Sequence, residues 1–112
     1  MLKISAVSYL NTIPFIYGLK QSKLMNTIDL HLDYPAICAD KLINGEVDIA
    51  LAPVEVIPQL ENAYIISNYC IGSDAEVDTV CLYSNVPISE IESIALDYQS
   101  RTSTELLKLL LN

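Results

Sequence analysis

Within its first 52 residues this chain alternates short apolar runs with amphipathic ones, and the changes are marked by prolines and a glycine suited to element ends. Leu2–Val7 reads as a strand. A helix is predicted over 12–20, with Pro14 in its first turn, where a missing N–H costs little, and Gly18 near its end inviting termination. Residues 28–32 alternate as a second strand. Pro35 then opens a helix over 35–44, and Gly45 supplies the left-handed stop. The run Asp48-Ile49-Ala50-Leu51-Ala52 is a third strand, mostly apolar and therefore expected to be buried on both faces, with Pro53 ending it. Strand–helix–strand–helix–strand predicts an α/β fold with a mainly parallel sheet and right-handed crossovers. Ligands on such sheets gather at the carboxyl ends of strands. Those ends carry Ser8-Tyr9-Leu10-Asn11-Thr12 and Pro53-Val54-Glu55, so both turns are expected at one edge of the sheet.

Past Pro58 the pattern changes. Residues 63–67, 69–71 and 77–83 read as short β-rich runs, and Ser84-Asn85-Val86-Pro87 as a crossover. A short helical turn fits 88–92 and a strand fits 93–96. The last helix is predicted to begin near Ser100 or Thr102, and Thr102 with Glu105 has the spacing of a capping box. Its body, Leu106-Leu107-Lys108-Leu109-Leu110-Leu111, is apolar nearly all round and needs partners on several sides. We therefore divide the chain into a first α/β lobe over 1–86 and a crossover with the beginning of a second, incomplete lobe over 87–112. Self-association through 106–111 is the competing explanation of that apolar helix.

At 112 residues and 52% hydrophobic content the chain fits one modest domain with a real core rather than a disordered segment. Six Lys+Arg stand against fourteen Asp+Glu, a net charge of −8, so the clustered cations of a nucleic-acid surface are missing. No apolar run approaches the roughly 20 residues that span a bilayer, and the N-terminus enters a strand pattern without a signal-like stretch, so cytoplasmic residence is the default expectation. Cys38, Cys70 and Cys81 match neither a zinc arrangement nor a redox pair, and their apolar neighbours predict buried free thiols. His31 is the sole histidine and falls on the polar side of a strand pattern, so neither metal nor triad chemistry is expected.

Two stretches look alike: Ser8-Tyr9-Leu10-Asn11-Thr12 and Asp97-Tyr98-Gln99-Ser100-Arg101-Thr102-Ser103. Each follows a strand pattern and leads into a helical one, leaving free N–H groups and the positive end of a helix dipole, which attract carboxylates. Two such turns suggest a ligand held at both ends; ordinary capped helix starts are the alternative. Arg101 stands alone, because no basic residue lies between Lys41 and Arg101 while ten acidic residues do. It can pair bidentately with a carboxylate or merely cover a helix end. Asn11 can cap a helix and touch a ligand at once. Ser8, Thr12, Ser100, Thr102 and Ser103 form a mixture of caps and ligand contacts, and Tyr9 and Tyr98 are pocket walls or half-buried core. Ser84 has no histidine near it in sequence, so it reads as a binding hydroxyl or a plain strand-end serine rather than a nucleophile. Glu55 is a candidate general base, disfavoured by its repulsion of an anionic substrate; its other role is a surface acid after a proline.

The piece Leu42-Ile43-Asn44-Gly45-Glu46-Val47-Asp48-Ile49-Ala50-Leu51 resembles the helix–Gly–strand unit frequent in periplasmic-binding-protein folds, which implies a type II-like lobe. The two turns, together with Pro14, resemble the chorismate dehydratase family of the futalosine route to menaquinone. The resemblance runs over essentially all 112 residues, as the amino-terminal part of a longer family chain. It implies a cofactor-free lyase that removes water from chorismate to give 3-[(1-carboxyvinyl)oxy]benzoate. Its implied catalytic positions are Asn11 and Ser84, with Ser8, Tyr9, Thr12, Ser100, Arg101, Thr102 and Ser103 as the substrate-binding set. The family is thought to let the substrate's own enolpyruvyl carboxylate take the proton while the protein holds its conformation. Nearly all of the second lobe is lacking, so a truncated and inactive form falls within this reading. A module that captures a small carboxylate and releases it unchanged is the alternative.

Overall fold

The computed structural model describes residues 1–111; Asn112, the last residue of the predicted second segment, lies outside them. β1 (Leu2–Val7) runs through the middle of a three-stranded, all-parallel sheet, with β2 (Ile28–Asp33) on one side and β3 (Ile49–Ala50) on the other. Helices α1 (Ile13–Gln21) and α2 (Pro35–Ile43) make the two crossovers, and α3 (Arg101–Leu111) closes the described chain. The first connection steps from β1 to one neighbour and the second crosses β1 to reach the other. The carboxyl end of β1 is therefore the point where strand order reverses, the usual place for a ligand crevice in an α/β sheet.

β1 earns its central place through its register. Its six residues pair Leu2 with Ile28 through Val7 with Asp33, and Ile4 and Ser5 pair with Ile49 and Ala50 on the opposite side. The second ladder is longer than β3 itself, because Asp48 N–H donates to Lys3 O (3.0 Å) and Leu51 N–H to Ser5 O (2.9 Å). Lys3 N–H in turn donates to the Asp48 carboxylate at 2.8 Å. The expected third strand over 48–52 is thus reduced to Ile49–Ala50, and these residues are half-buried rather than enclosed on both faces.

Ser5, Ala6 and Val7 are buried, together with Ile28, Cys38, Ala39, Val47, Val56 and Thr12. At the centre Ser5 Oγ donates to Asp33 Oδ2 (2.8 Å) and lies 3.2 Å from Cys38 Sγ, while Lys41 Nζ donates to the same Asp33 oxygen at 2.6 Å. This polar group ties β1, β2 and α2 together. Burial alone would raise the Asp33 pKa, but the hydrogen bonds from Lys41 and Ser5 and the Lys41 charge hold the carboxyl below its ordinary range. Burial pushes the Cys38 thiol up, so it stays protonated and packs as a small apolar group.

Local boundaries follow the residues that mark them, with one exception. Pro35 opens α2 and Gly45 ends it with φ of 67°. Gly45 N–H donates to Leu42 O (3.2 Å) and Glu46 N–H to Lys41 O (2.8 Å), the paired bonds of a Schellman stop. Gly18 does not terminate α1, which continues to Gln21 and stops at Ser22. A helical glycine costs only about 0.5–1 kcal/mol, too little to end a helix that its flanking turns support. Ser22 Oγ donates to Leu19 O (2.7 Å) and accepts from Leu24 N–H (3.2 Å), linking the end of α1 to the following turn.

The second half departs from the predicted β-rich pattern. The runs 63–67, 69–71, 77–83 and 93–96 are irregular, and only Ile88–Glu90 forms a short 3-10 turn within the predicted 88–92. Of residues 61–99 only Ile91, Ile94 and Gln99 are even half-buried. The radius of gyration, 16.5 Å, accordingly exceeds the about 13 Å of a compact chain of this length. Cys70 and Cys81 lie in this segment and are exposed, so only Cys38 is the buried thiol expected of all three. α3 starts at Arg101, and its cap is Ser100, whose Oγ accepts from Ser103 N–H at 3.4 Å; the expected Thr102–Glu105 box does not form, and Glu105 pairs with Lys108 instead. On α3, Leu107 is half-buried, whereas Leu106, Leu109, Leu110 and Leu111 are exposed.

Two predictions follow from this architecture. Gly45→Ala should destabilise the fold by about 1–2 kcal/mol in urea denaturation, because the left-handed φ penalises a Cβ although open space surrounds it. Asp33→Asn should cost about 1–3 kcal/mol at neutral pH. Because the folded pKa of Asp33 is depressed, its contribution is present above the unfolded value and disappears as pH falls below about 4. The stability difference between parent and variant should therefore shrink toward pH 2, measured as denaturation midpoints across pH.

Candidate functional site

The turn leaving β1 and the turn entering α3 meet. Tyr9 Oη donates to Gln99 Oε1 at 3.1 Å, joining residues 90 positions apart. Gln99 is held on its own side by Asp97, whose Oδ1 accepts Gln99 N–H at 2.9 Å, and its amide donates to Tyr98 Oη at 3.0 Å. Tyr9 also packs against Tyr34, ring centroids 6.3 Å apart and tilted at 58°. Tyr34 precedes α2, so the residues that follow β1 and β2 share one edge of the sheet, where parallel strands end.

Beside this junction lies a cavity of about 580 Å³, within the range of small-molecule sites. Tyr9 comes to it from the first turn, Ser100 and Ser103 from the start of α3, and Ser84 from the irregular segment. Val80, Leu82, Ile91 and Ile94 give it apolar walls, and Asp97 is the one charged residue on its lining. The two α3 serines form a local pair: Ser100 Oγ donates to Ser103 Oγ at 2.9 Å. Ser84 Oγ donates to Val86 O (2.8 Å) and accepts Val86 N–H (3.1 Å), so its proton is committed within its own turn while a lone pair still faces outward. Partial burial, then the charge of Asp97 and the neighbouring Tyr34 and Tyr98, push the Tyr9 phenol above its ordinary range. It stays a neutral donor at physiological pH.

Of the residues singled out from the sequence, the cavity brings together Tyr9, Ser84, Ser100 and Ser103. Ser8, Asn11, Thr12 and Thr102 do not line it. Thr12 is fully buried and donates to Asn11 Oδ1 at 3.4 Å, while Asn11 itself is exposed. Arg101 faces a separate cleft with Glu55 and Gln59, where its guanidinium pairs with Asp40 of α2 and with Glu55 at 3.6 Å. The expectation that Asn11 and Arg101 grip one ligand from opposite ends is therefore corrected. An isolated cation in a chain of net charge −8 is drawn to the nearest carboxylates, and two stand within its reach. Gln99 and Asp40 were missed as contributors. Gln99 stood inside a quoted motif; Asp40 carried no signal, being 61 residues from its partner. Glu55, weighed as a base, is paired to that arginine and lies outside the cavity that Tyr9 lines.

Among the described residues no group of three His, Cys, Asp or Glu side chains could hold a metal ion, and no helix is long and apolar enough to cross a membrane. Hydroxyls over apolar walls suit the binding and orientation of a small oxygenated molecule. A mixed α/β chain with a parallel sheet and such a cavity at its carboxyl edge has the form of a small-molecule-binding domain. The family model described as menaquinone biosynthesis matches residues 2–112, and the chain belongs to that family, the chorismate dehydratase family which its two turns resemble. The family places it in an enzymatic role with a small-molecule substrate. No solved structure matches the chain.

If the Tyr9–Gln99 bond is what joins the two turns, Tyr9→Phe should leave global stability within about 1 kcal/mol, since the bond is exposed. The nuclear Overhauser contacts between the side chains of residues 9 and 99 should at the same time weaken, because Gln99 Oε1 loses its donor.

Proposed function

We propose that this chain serves in menaquinone synthesis as a chorismate dehydratase, a carbon–oxygen lyase. The observation that carries the reading is the coincidence of two facts. The family match spans residues 2–112, and the two turns that resemble this family are joined by the Tyr9–Gln99 bond beside a cavity of hydroxyls. In the proposed reaction the ring carbon bearing the enolpyruvyl ether loses its proton and the adjacent carbon loses hydroxide. The ring becomes aromatic, water leaves, and 3-[(1-carboxyvinyl)oxy]benzoate remains. The substrate's own enolpyruvyl carboxylate takes the proton, so the protein's part is orientation.

Ser84, Ser100, Ser103 and Tyr9 supply neutral hydroxyls for that task, worth most when they hold the reacting groups in a near-attack arrangement. Asn11 enters the proposal through the family resemblance, as a residue two positions beyond Tyr9 on the same turn. Asp97 faces the same space, and its Oδ1 already accepts the Gln99 N–H, which reduces its repulsion of a substrate carboxylate. The second reading, capture of a small carboxylate without chemistry, is favoured by Ser84, whose proton is committed to Val86 O and which has no base beside it.

Incubation with chorismate separates the two. The lyase reading expects loss of chorismate and appearance of the vinyl ether benzoate, with Ser84→Ala and Asn11→Ala each lowering kcat/KM by about tenfold or more. Saturable binding of chorismate without product would replace the lyase with the capture module. Absence of both binding and turnover would overturn the two readings together.

A further inference from the structure

The second cleft, lined by Arg101, Glu55, Pro58, Gln59 and Glu105, gives Arg101 a task that the substrate does not require. Glu55 belongs to the 3-10 segment Val54–Gln59 that follows β3, and its side chain is only 14% exposed. Its Oε2 accepts from Gln59 Nε2 at 2.8 Å. Its Oε1 is buried without a hydrogen bond among the described residues, and Arg101 Nη1 stands 3.6 Å away. A buried carboxylate oxygen is costly without a compensating charge, and Arg101 is the compensating charge. The same guanidinium pairs with Asp40 on α2. Glu105, the other acid of the cleft, is taken up by Lys108 at 2.6 Å. One arginine thus fastens the first residue of α3 to two elements of the α/β layer.

The geometry of the helix turns this fastening toward the cavity. At 100° per residue Ser100 and Ser103 lie on nearly one side of the first turn of α3, and Arg101 projects about 130° away from them. Pulling Arg101 into the acidic cleft therefore turns the two serines to the other side, where they line the cavity beside Tyr9. The direct side-chain link across the two turns, Tyr9–Gln99, is exposed and neutral, hence a weaker restraint on α3 than the ion pairs.

We propose that Arg101 is a positioning residue: its ion pairs with Asp40 and Glu55 set the rotation and seat of α3, and so hold Ser100 and Ser103 in the wall of the substrate cavity. This rests on the reading of that cavity as the chorismate site, and the test has an arm that does not. In hydrogen exchange, the hydrogen-bonded amides early in α3, at 105–107, should open about tenfold faster or more in Arg101→Gln, while the β1 amides keep their parent rates. Unchanged exchange at 105–107 overturns the proposal. With chorismate as the probe, Arg101→Gln should raise KM by about tenfold or more and leave kcat within about twofold, and Arg101→Lys, which keeps one charge-assisted contact, should recover most of the loss. A fall in kcat at unchanged KM overturns the proposal, as does a variant that melts earlier while its folded fraction binds chorismate like the parent. If the parent neither binds nor converts chorismate, the functional reading fails by itself, and the exchange arm alone decides whether Arg101 seats α3.

Discussion

A strand flanked on both sides gives its backbone donors and acceptors to two neighbours, and β1 is held this way by β2 and β3. Its inner residues can then be buried at Ser5, Ala6 and Val7, and the only polar side chain among them has its hydroxyl met by Asp33. Asp33 ends β2, Lys41 belongs to α2, and both meet on the same carboxylate oxygen, so the central strand, an edge strand and a crossover helix are locked at one point. The chain that leaves β1 must emerge where its neighbours' connections part to opposite sides. Tyr9 arrives there beside Tyr34, and the cavity opens at that edge as a consequence of strand order.

Charge distributes itself around this frame unevenly. Of six basic residues, Lys41, Arg101 and Lys108 are each engaged by carboxylates. The cavity wall keeps no cation and one acid, Asp97. Any recognition of an anion there falls to hydroxyls and to the amide end of α3, whose cap Ser100 already orders the first turn. Specificity in such a site comes from shape and the directions of neutral donors rather than from net attraction.

The α/β layer was legible in the sequence because local and long-range signals agree there. Pro35 and Gly45 mark real ends of α2, and the apolar runs that pair as β1 and β2 also carry the buried residues. Where a local signal stood without tertiary support it failed: Gly18 lies inside α1, and the β-rich runs after Pro58 have no strand to pair with among the described residues. β-propensity reports a fit to a half-buried pleated surface, and a segment that meets no such surface does not become a strand. Cys70 and Cys81 are exposed for the same reason. In the site, Tyr9, Ser84, Ser100 and Ser103 were visible as hydroxyls in turn motifs. The facing of Arg101 was not, because it depends on Asp40 and Glu55, which only the fold brings near.

A cavity built this way limits the chemistry it can support. Tyr9 holds its proton at neutral pH, Ser84 donates its hydrogen bond to a backbone carbonyl, and Ser100 and Ser103 hydrogen-bond to each other. Glu55, the one carboxylate weighed as a base, is neutralised by Arg101 outside the cavity. None of these groups is a base suited to removing a proton from carbon, which needs one of matched pKa within hydrogen-bond reach, and Asp97 is the one carboxylate on the lining. In the proposed lyase reading the base comes from the substrate, and the protein serves to fix one conformation of it. Aromatisation by loss of water from a molecule with a pendant carboxylate meets that condition, because its driving force lies in the product ring and its proton acceptor travels with the reactant.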